Sequence, residues 1–486
     1  MKCEHILSIG NTSCRMQERH KDKIEFMKNI RTRIAPSPTG EDVHIGNVYT
    51  ALINFAFAKK NDGKFIIRIE DTDRDRYVNG AEEKILSSIK SFGLVYDEGP
   101  DKGGPFAPYR QSERLSIYKE HAEELISKDK AYYCFCTRER LDELRQKQQA
   151  EKQMPHYDKQ CLSNIKDAKG RIEKGEQFVI RLNVVQGKRV WFDDLIRGKI
   201  EFDSNQIDDQ ILIKSDGYPT YHMGVVVDDH LMEISHVIRA EEWISSTPKH
   251  IILYESFGWD LPIFCHLPIL RNPDKSKLSK RKNPVWASWY ISEGYLPEAV
   301  INYLALLGWS HPDGKEIFTL EEFVSVFDLK DIKPVAPIFD LVKLSWMNQQ
   351  YIQNMNDENL LKHLQVFYKG KFDKEMIASL LPLVKTRMTT LKDFDVLTHH
   401  FFTEPEIELD ENEDGIVKLL IEQLEKINKW DSEAILVAFR KVMVDNNIRM
   451  PVLYRLLTGS EKGLPLPESL VILGKERTLA RLNKLQ

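Results

Sequence analysis

Cysteine is scarce in this chain. Six occur among 486 residues, at positions 3, 14, 134, 136, 161 and 265. That number and spacing make no disulfide framework, so a reducing, cytoplasmic setting is expected. Long apolar runs are missing: nowhere do 18 apolar residues follow one another, so no membrane span is expected. Neither sign of charge dominates. Sixty-nine Lys and Arg against 74 Asp and Glu leave −5, which excludes a chain that is basic throughout and leaves a local basic face open. Tandem repeats and low-complexity blocks are absent. The first 26 residues lack an apolar core and carry Glu4, Glu18, Asp22 and Glu25, which excludes a secretory signal and argues against an organelle transit peptide. Residues 1–28 are expected to be a disordered extension, or the product of an early start codon with Met27 as the true start.

What is present is an ordinary globular composition, 42% hydrophobic and 29% charged, long enough for about three domains. Ile30–Ala35 alternates apolar and polar residues and reads as a strand. Pro36-Ser-Pro-Thr-Gly40 is a loop, and Ile45, Val48, Ala51, Leu52, Phe55 and Ala58 recur at helical spacing until Asn61-Asp-Gly63. Phe65–Ile69 is a second strand. Strand, helix and strand in about 40 residues make a βαβ unit and predict a parallel sheet. Helix is expected at 113–130 and 248–257, and short strands near 178–184 and 189–192. Residues 207–240 read as strand, turn and strand. After about residue 295 the pattern is mostly helical, interrupted at Glu404–Asp414 by seven acids and no base, which reads as a solvated linker.

Two segments suggest phosphate chemistry. His44-Ile-Gly46 sits where a strand gives way to a helix, and a helix N-terminus offers free N–H groups and a positive dipole end. Gly46 allows close approach to the backbone. Lys277-Leu-Ser-Lys-Arg281 gathers cations and a hydroxyl, which suits a lid over a polyphosphate. Alone, each segment also reads as an ordinary helix start or a solvated basic loop.

Taken together they resemble a family. His44-Ile-Gly-Asn47 is similar to the HIGH signature of class I aminoacyl-tRNA synthetases, and Lys277–Arg281 to their KMSKS loop, with Asn47 and Leu278 as departures. Arg33-Ile-Ala-Pro-Ser-Pro-Thr-Gly40, Arg68-Ile-Glu-Asp-Thr-Asp73, Tyr109-Arg-Gln-Ser-Glu113, Asp216-Gly-Tyr-Pro-Thr-Tyr221, Val227-Asp-Asp-His230 and Arg239-Ala-Glu-Glu-Trp243 resemble the bacterial glutamyl-tRNA synthetases. The resemblance runs from about Thr32 to the C-terminus and is densest before residue 350.

It implies an α/β fold: a Rossmann-type parallel-sheet catalytic domain with an inserted α/β acceptor-binding domain, then all-α anticodon-binding domains. The expected boundaries are 29–105 and 221–265 for the two catalytic halves and 106–220 for the insertion. A stem-contact region with the basic loop follows at 266–350, and a helical anticodon-binding region at 351–486. The implied activity is ATP- and Mg2+-dependent activation of L-glutamate and its transfer to tRNA(Glu), by a monomer. The alternatives are an enzyme that also charges tRNA(Gln), or a non-catalytic tRNA-binding paralogue.

The resemblance also implies roles. His44, Lys277 and Lys280 would be catalytic and would bind ATP with Gly46, Glu242 and Ser279. Arg33, Ala35, Ser37, Glu70, Tyr221, Arg239 and Trp243 would bind glutamate, with Arg239 on the α-carboxylate and Arg33 on the γ-carboxylate. The residue types agree independently, since two carboxylates and an ammonium call for two cations and an acid. Asp71, Asp73 and Arg387 would meet tRNA. Residues 128–200 carry 17 bases against 11 acids, a face suited to phosphates. Within it Cys134, Cys136 and Cys161, closed by Tyr157 or His156 because Ser163 stands at the usual fourth place, are candidates for a structural zinc.

Overall fold

The computed structural model describes residues 29–164, 168–278, 284–410 and 413–486. The expectations for residues 1–28, and for Ser279 and Lys280, lie outside them. The chain forms two compact units. One comprises the described residues up to Ser288 with Ile301–Phe339, and the other comprises Trp289–Val300 with Asp340–Gln486. The second unit thus takes in residues expected in the 266–350 region.

Strand β1 (Arg31–Ile34), helix α1 (Ile45–Lys60) and strand β2 (Lys64–Ile67) make the expected βαβ unit. β1 and β2 are parallel, with Arg33 opposite Ile66. The helical positions read from the sequence are the buried ones: Ile45, Val48, Ala51, Leu52 and Ala58 are at or near zero exposure. Gly63 closes the turn after α1 because a Cβ there would lie 2.3 Å from the Ile30 carbonyl oxygen. Alternation along β1 predicts one wet face. Instead all four residues are buried. The arginines tolerate this because each meets a carboxylate: Arg31 donates to both oxygens of Glu98 at 2.8 and 2.9 Å, and Arg33 to both oxygens of Asp229.

Strand β3 (Ala131–Cys134), strand β4 (Val179–Leu182) and strand β7 (Ile211–Ile213) form the antiparallel sheet of the expected insertion. Between them in sequence, β5 (Arg189–Asp194) and β6 (Gly198–Asp203) form a hairpin that does not stay in that sheet. It joins β8 (His236–Ala240) and β9 (Ile263–Leu267) in the order β6-β5-β9-β8, with β8 and β9 parallel. β8 lies beside β1, where the Ser235 N–H donates to the Arg31 carbonyl at 3.0 Å. The expected 106–220 insertion is therefore corrected: its 189–203 hairpin belongs to the sheet of the second catalytic half.

A second correction concerns 221–231. The segment read as strand is a helix, α2 (Tyr221–Leu231). Val225-Val-Val227 has the composition of a strand, but tertiary burial overrides propensity, and residues Met223–Asp229 are all buried. Asp228 and Asp229 reach the core on this helix. Asp228 accepts from Arg114 Nε (2.8 Å), Gln111 Nε2 (2.9 Å) and the Tyr118 hydroxyl (2.8 Å).

The second unit is helical in its described elements, from Leu341–Asn354 to Lys475–Asn483. Asp340, Asn356, Asp373 and Asp431 cap four of its helices with side-chain oxygens, the usual use of those residue types. The acidic stretch at 404–414 is less free than a solvated linker. Arg477 and Arg481 hold Glu404, and Arg455 holds Asp410 and Glu413. Among the described residues no helix is long and apolar enough to cross a membrane.

Removing Asp228 strands the buried Arg114 guanidinium. Asp228→Ala is expected to cost about 3–5 kcal/mol, read as a lowered calorimetric transition of the catalytic unit with the helical unit's transition unchanged.

Candidate active site

The loop after β1 delivers His44 to the start of α1. His44 caps the helix, and its Nδ1 accepts the Gly46 N–H at 3.0 Å. An accepting Nδ1 puts the neutral ring's proton on Nε2, so the outer edge of the ring is a donor. A Cβ on Gly46 would stand 3.0 Å from that Nδ1, so glycine keeps the cap intact. His44 and Gly46 line a cleft of about 280 Å³ with Thr50, Glu242, Leu267 and Lys277. Four of the six residues expected at ATP thus share one cavity. The other two, Ser279 and Lys280, lie outside the described residues, but both flanks of their loop are anchored at the cleft. Lys277 pairs with Arg271 across a β-bridge, and Trp286 bridges His44. Lys277 Nζ sits 2.7 Å from Glu242 Oε2, an exposed pair.

Two buried arginines, Arg33 and Arg239, stand in opposite electrostatic states. Arg33 is 3% exposed and held by Asp229, Nε to Oδ1 at 3.0 Å and Nη2 to Oδ2 at 2.9 Å. Its Nη1 makes no hydrogen bond among the described residues. Arg68, fully buried, also holds Asp229, and its Nη2 donates to Glu70 Oε1 at 3.0 Å. Burial raises the Glu70 carboxyl to about 7, against the pull of Arg68 and Arg33.

Arg239 has no carboxylate partner among the described residues. Its donors go to neutral acceptors: His266 Nε2 (3.1 Å), the Tyr221 hydroxyl (3.1 Å), His250 Nδ1 (3.3 Å) and Thr247 Oγ1 (2.9 Å). Burial lowers its pKa, and a guanidinium still stays charged. Burial also keeps His250 and His222 uncharged, the latter at about 3. Trp243 covers Tyr221 with ring centroids 4.3 Å apart. The charges of Glu70, Arg33 and Arg239 all act on Tyr221, so these groups share one neighbourhood. A buried, unneutralised cation is a strong anion site, and here it stands beside a carboxyl and a second, half-satisfied arginine.

Sequence reasoning missed Arg68, Asp229, His250, Thr247 and His266. The available signal was charge inside apolar stretches: Arg68 closes a strand and Asp228-Asp229 ends a valine run. Ala35 is half-buried and Ser37 exposed on the loop after β1. Asp71 departs from its expected place at an RNA surface. It is 5% exposed and spends both oxygens on the Ser112 N–H and hydroxyl, so it braces the turn at Gln111–Glu113. Asp73 is half-buried and paired with Arg76. In the helical unit Arg387 is exposed and donates to the Gly463 carbonyl at 2.6 Å.

The cysteines converge. The Sγ atoms of Cys134, Cys136 and Cys161 lie within 4.8 Å of one another. The Tyr157 hydroxyl is 3.4 Å from Cys134 Sγ and 3.3 Å from Cys136 Sγ. Donors around a tetrahedral zinc, with bonds of about 2.0–2.3 Å, stand about 3.5–3.8 Å apart. Those two distances, and the 3.4 Å between Cys136 Sγ and Cys161 Sγ, fall just below that figure. His156 is exposed and turned to the Met154 carbonyl, so the fourth donor at hand is Tyr157.

The chain matches the family model for the catalytic domain of class I tRNA synthetases (E and Q) over residues 29–346, and an anticodon-binding domain model over 350–486. It belongs to this class I family. Curated relatives named glutamate–tRNA ligase include one from Cellvibrio japonicus, 44% identical over 474 residues that cover 94% of this chain and 93% of the relative. Another, from Thermus thermophilus, is 45% identical over 94% of this chain and 99% of its own. A crystal structure of a glutamate tRNA ligase from Elizabethkingia meningosepticum, in complex with its amino acid, superposes with a TM-score of 0.83 at 37% identity over 94% of this chain and 99% of that one.

Glu70 gives the synthetase a titration to observe. A carboxyl whose folded pKa is raised stabilises the fold below its ordinary range, and that stability is lost as pH rises toward 7. The Glu70 carboxyl signal in 13C NMR is expected to titrate near pH 7. Glu70→Gln is expected to remove the matching part of the stability slope between about pH 4.5 and 7.

Proposed function

We infer that this chain is a glutamate–tRNA ligase that activates L-glutamate with ATP and passes it to tRNA(Glu) in the cytoplasm, as a monomer. The observation that carries the reading is Arg239, a buried guanidinium with no carboxylate partner among the described residues, set beside Glu70 and Arg33 and next to the His44–Lys277 cleft. An α-amino dicarboxylate complements that set: one carboxylate on Arg239, one on Arg33 Nη1, the ammonium on Glu70. As the resemblance implies, we assign the α-carboxylate to Arg239 and the γ-carboxylate to Arg33. Ala35, Ser37, Tyr221 and Trp243 enclose the substrate.

The α-carboxylate attacks the α-phosphorus of ATP, pyrophosphate leaves, and the terminal adenosine hydroxyl of tRNA then attacks the adenylate's carbonyl. No enzyme nucleophile is needed. His44 Nε2–H, Lys277 and Lys280 stabilise charge on the phosphates, Gly46, Glu242 and Ser279 shape the nucleotide's seat, and holding the reactants in line supplies the rest. Mg2+ arrives with ATP and neutralises phosphate charge. Rejection of glutamine rests on a narrow base. Asp229 already neutralises Arg33, so an amide there strands no charge, and the loss is limited to one charge-assisted hydrogen bond. The basic 128–200 face takes acceptor-stem phosphates, Asp73 accepts from hydroxyl or amino groups of the tRNA, and Arg387 on the helical unit meets the anticodon.

Charging assays with glutamate, ATP and Mg2+ on separate tRNA(Glu) and tRNA(Gln) transcripts test the reading. Product on tRNA(Glu) alone is expected. Product on both identifies a non-discriminating enzyme, and product on neither sinks the assignment in favour of a non-catalytic paralogue.

We also propose that Cys134, Cys136, Tyr157 and Cys161 hold a structural zinc. One equivalent of zinc is expected by elemental analysis of the purified protein, and Cys161→Ser should lose it. Metal-free protein with full thermal stability would refute the proposal.

A further inference from the structure

Arg239 cannot choose its own orientation. It is buried, permanently charged and surrounded by atoms that must all present lone pairs to it. Three of these adapt readily. The Tyr221 and Thr247 hydroxyls rotate, and His250, accepting on Nδ1, donates its single ring N–H from Nε2 to His222 Nδ1 at 3.0 Å. The fourth, His266, is different, because one neighbour dictates its state. Its Nδ1 lies 2.6 Å from Asp194 Oδ2. A carboxylate accepts only, so Nδ1 carries the proton and Nε2 is bare toward Arg239 Nε.

Asp194 is itself fixed. Its Oδ1 accepts the N–H groups of Ile196 (3.1 Å) and Arg197 (3.0 Å), and its Oδ2 also accepts the His266 N–H at 3.0 Å. Asp194 and His266 are both buried, at 3% and 0% exposure. The aspartate comes from the end of β5, and the histidine from β9 beside it. The hairpin that leaves the inserted sheet thus has a chemical consequence at the amino-acid pocket. It brings a carboxylate to the far side of the imidazole, one ring's width from the guanidinium. The negative charge is held where it can order Arg239 without pairing with it.

We propose that Asp194 and His266 are positioning residues for the amino-acid substrate. They lock the imidazole in its Nδ1–H tautomer, pin Arg239 by Nε, and so leave the one Nη2 hydrogen that Thr247 does not take, with the Tyr221 O–H beside it, directed at a substrate carboxylate. An aspartate in direct contact with Arg239 would neutralise it, as Asp229 does Arg33. No partner at all would let the guanidinium turn. The proposal rests on the reading of Arg239 as a carboxylate holder.

The test is glutamate-dependent ATP–pyrophosphate exchange with tRNA present, on the full chain. His266→Leu removes the acceptor, while His266→Gln returns an amide oxygen near the position of Nε2. The leucine variant is expected to raise KM for glutamate about tenfold or more, with kcat and KM for ATP within about twofold, and the glutamine variant to recover most of that loss. Equal KM values for the two variants, or a parallel rise in KM for ATP, would overturn the proposal. Arg239→Lys separates the two levels. If it leaves KM for glutamate unchanged, the reading of Arg239 fails. If it raises KM while His266→Leu does not, that reading stands and the positioning role falls. Imidazole 15N NMR on the wild-type protein is independent of any variant's folding: a proton on Nδ1 of His266 is expected, and a proton on Nε2 refutes the proposal.

Discussion

Asp229 is the constraint on which the catalytic unit depends. It receives Arg33 from β1 and Arg68 from the end of β2, and it is presented by α2. With Asp228 on Arg114 and Glu70 on Arg68, three arginines face three carboxylates at almost no exposure. Each ion gives up several kcal/mol of hydration, which attraction returns only when the geometry is good and the remaining donors are satisfied. Such a network adds little net stability, but it tolerates few arrangements. β1, β2 and α2 must meet in one register or leave a charge stranded. The same burial sets the chemistry of Glu70: desolvation raises its carboxyl, and the pull of Arg68 and Arg33 offsets that only in part.

Against this neutral floor, Arg239 stands out because it is left incomplete. The protein surrounds it with a hydroxyl pair and two uncharged imidazoles, all acceptors, none anionic. The nearest negative charge acting through a hydrogen bond is Asp194, relayed by His266. A cation desolvated in this way binds an incoming carboxylate strongly, since the cost of burying it has already been met by the fold. The pocket therefore distinguishes its two arginines by their partners and not by their residue type.

The sequence made the βαβ unit legible because α1 buries a clean helical stripe and ends in Asn61-Asp-Gly63. It made the His44 and Lys277 segments legible because short motifs carry their chemistry locally. It failed where tertiary context overrules local pattern. Val225-Val-Val227 belongs to a helix that is buried through Met223–Asp229, so neither strand alternation nor an amphipathic period was there to be read. Arg31 and Arg33 alternate like surface residues, and only their partners, 67 and 196 residues away, show that they are interior. The 189–203 hairpin carried a strand pattern but no mark of which sheet it would join. Tyr157 and His156 are adjacent in sequence, and only the backbone's course decides which of them faces the cysteines. Asp71 resembled its neighbour Asp73 until burial separated them.

Burial also explains how a rigid floor and a responsive rim coexist. Lys277 and Glu242 form an ion pair of short length, yet with side chains 63% and 47% exposed. Such a pair is worth about 0–1 kcal/mol, so a polyphosphate entering the His44 cleft can take the lysine at little cost. Arg33 could not be recruited in the same way, because pulling it from Asp229 would leave a carboxylate buried beside Arg68 alone. On the proposed assignment, the buried arginines are therefore set before substrate arrives, while the exposed lysine can be parked on its neighbouring acid and released. The proposed reaction, whose first step joins a carboxylate to a phosphate, needs both, and the chain supplies them three residues apart: Arg239 among its neutral acceptors, and Glu242 lining the His44 cleft with Lys277.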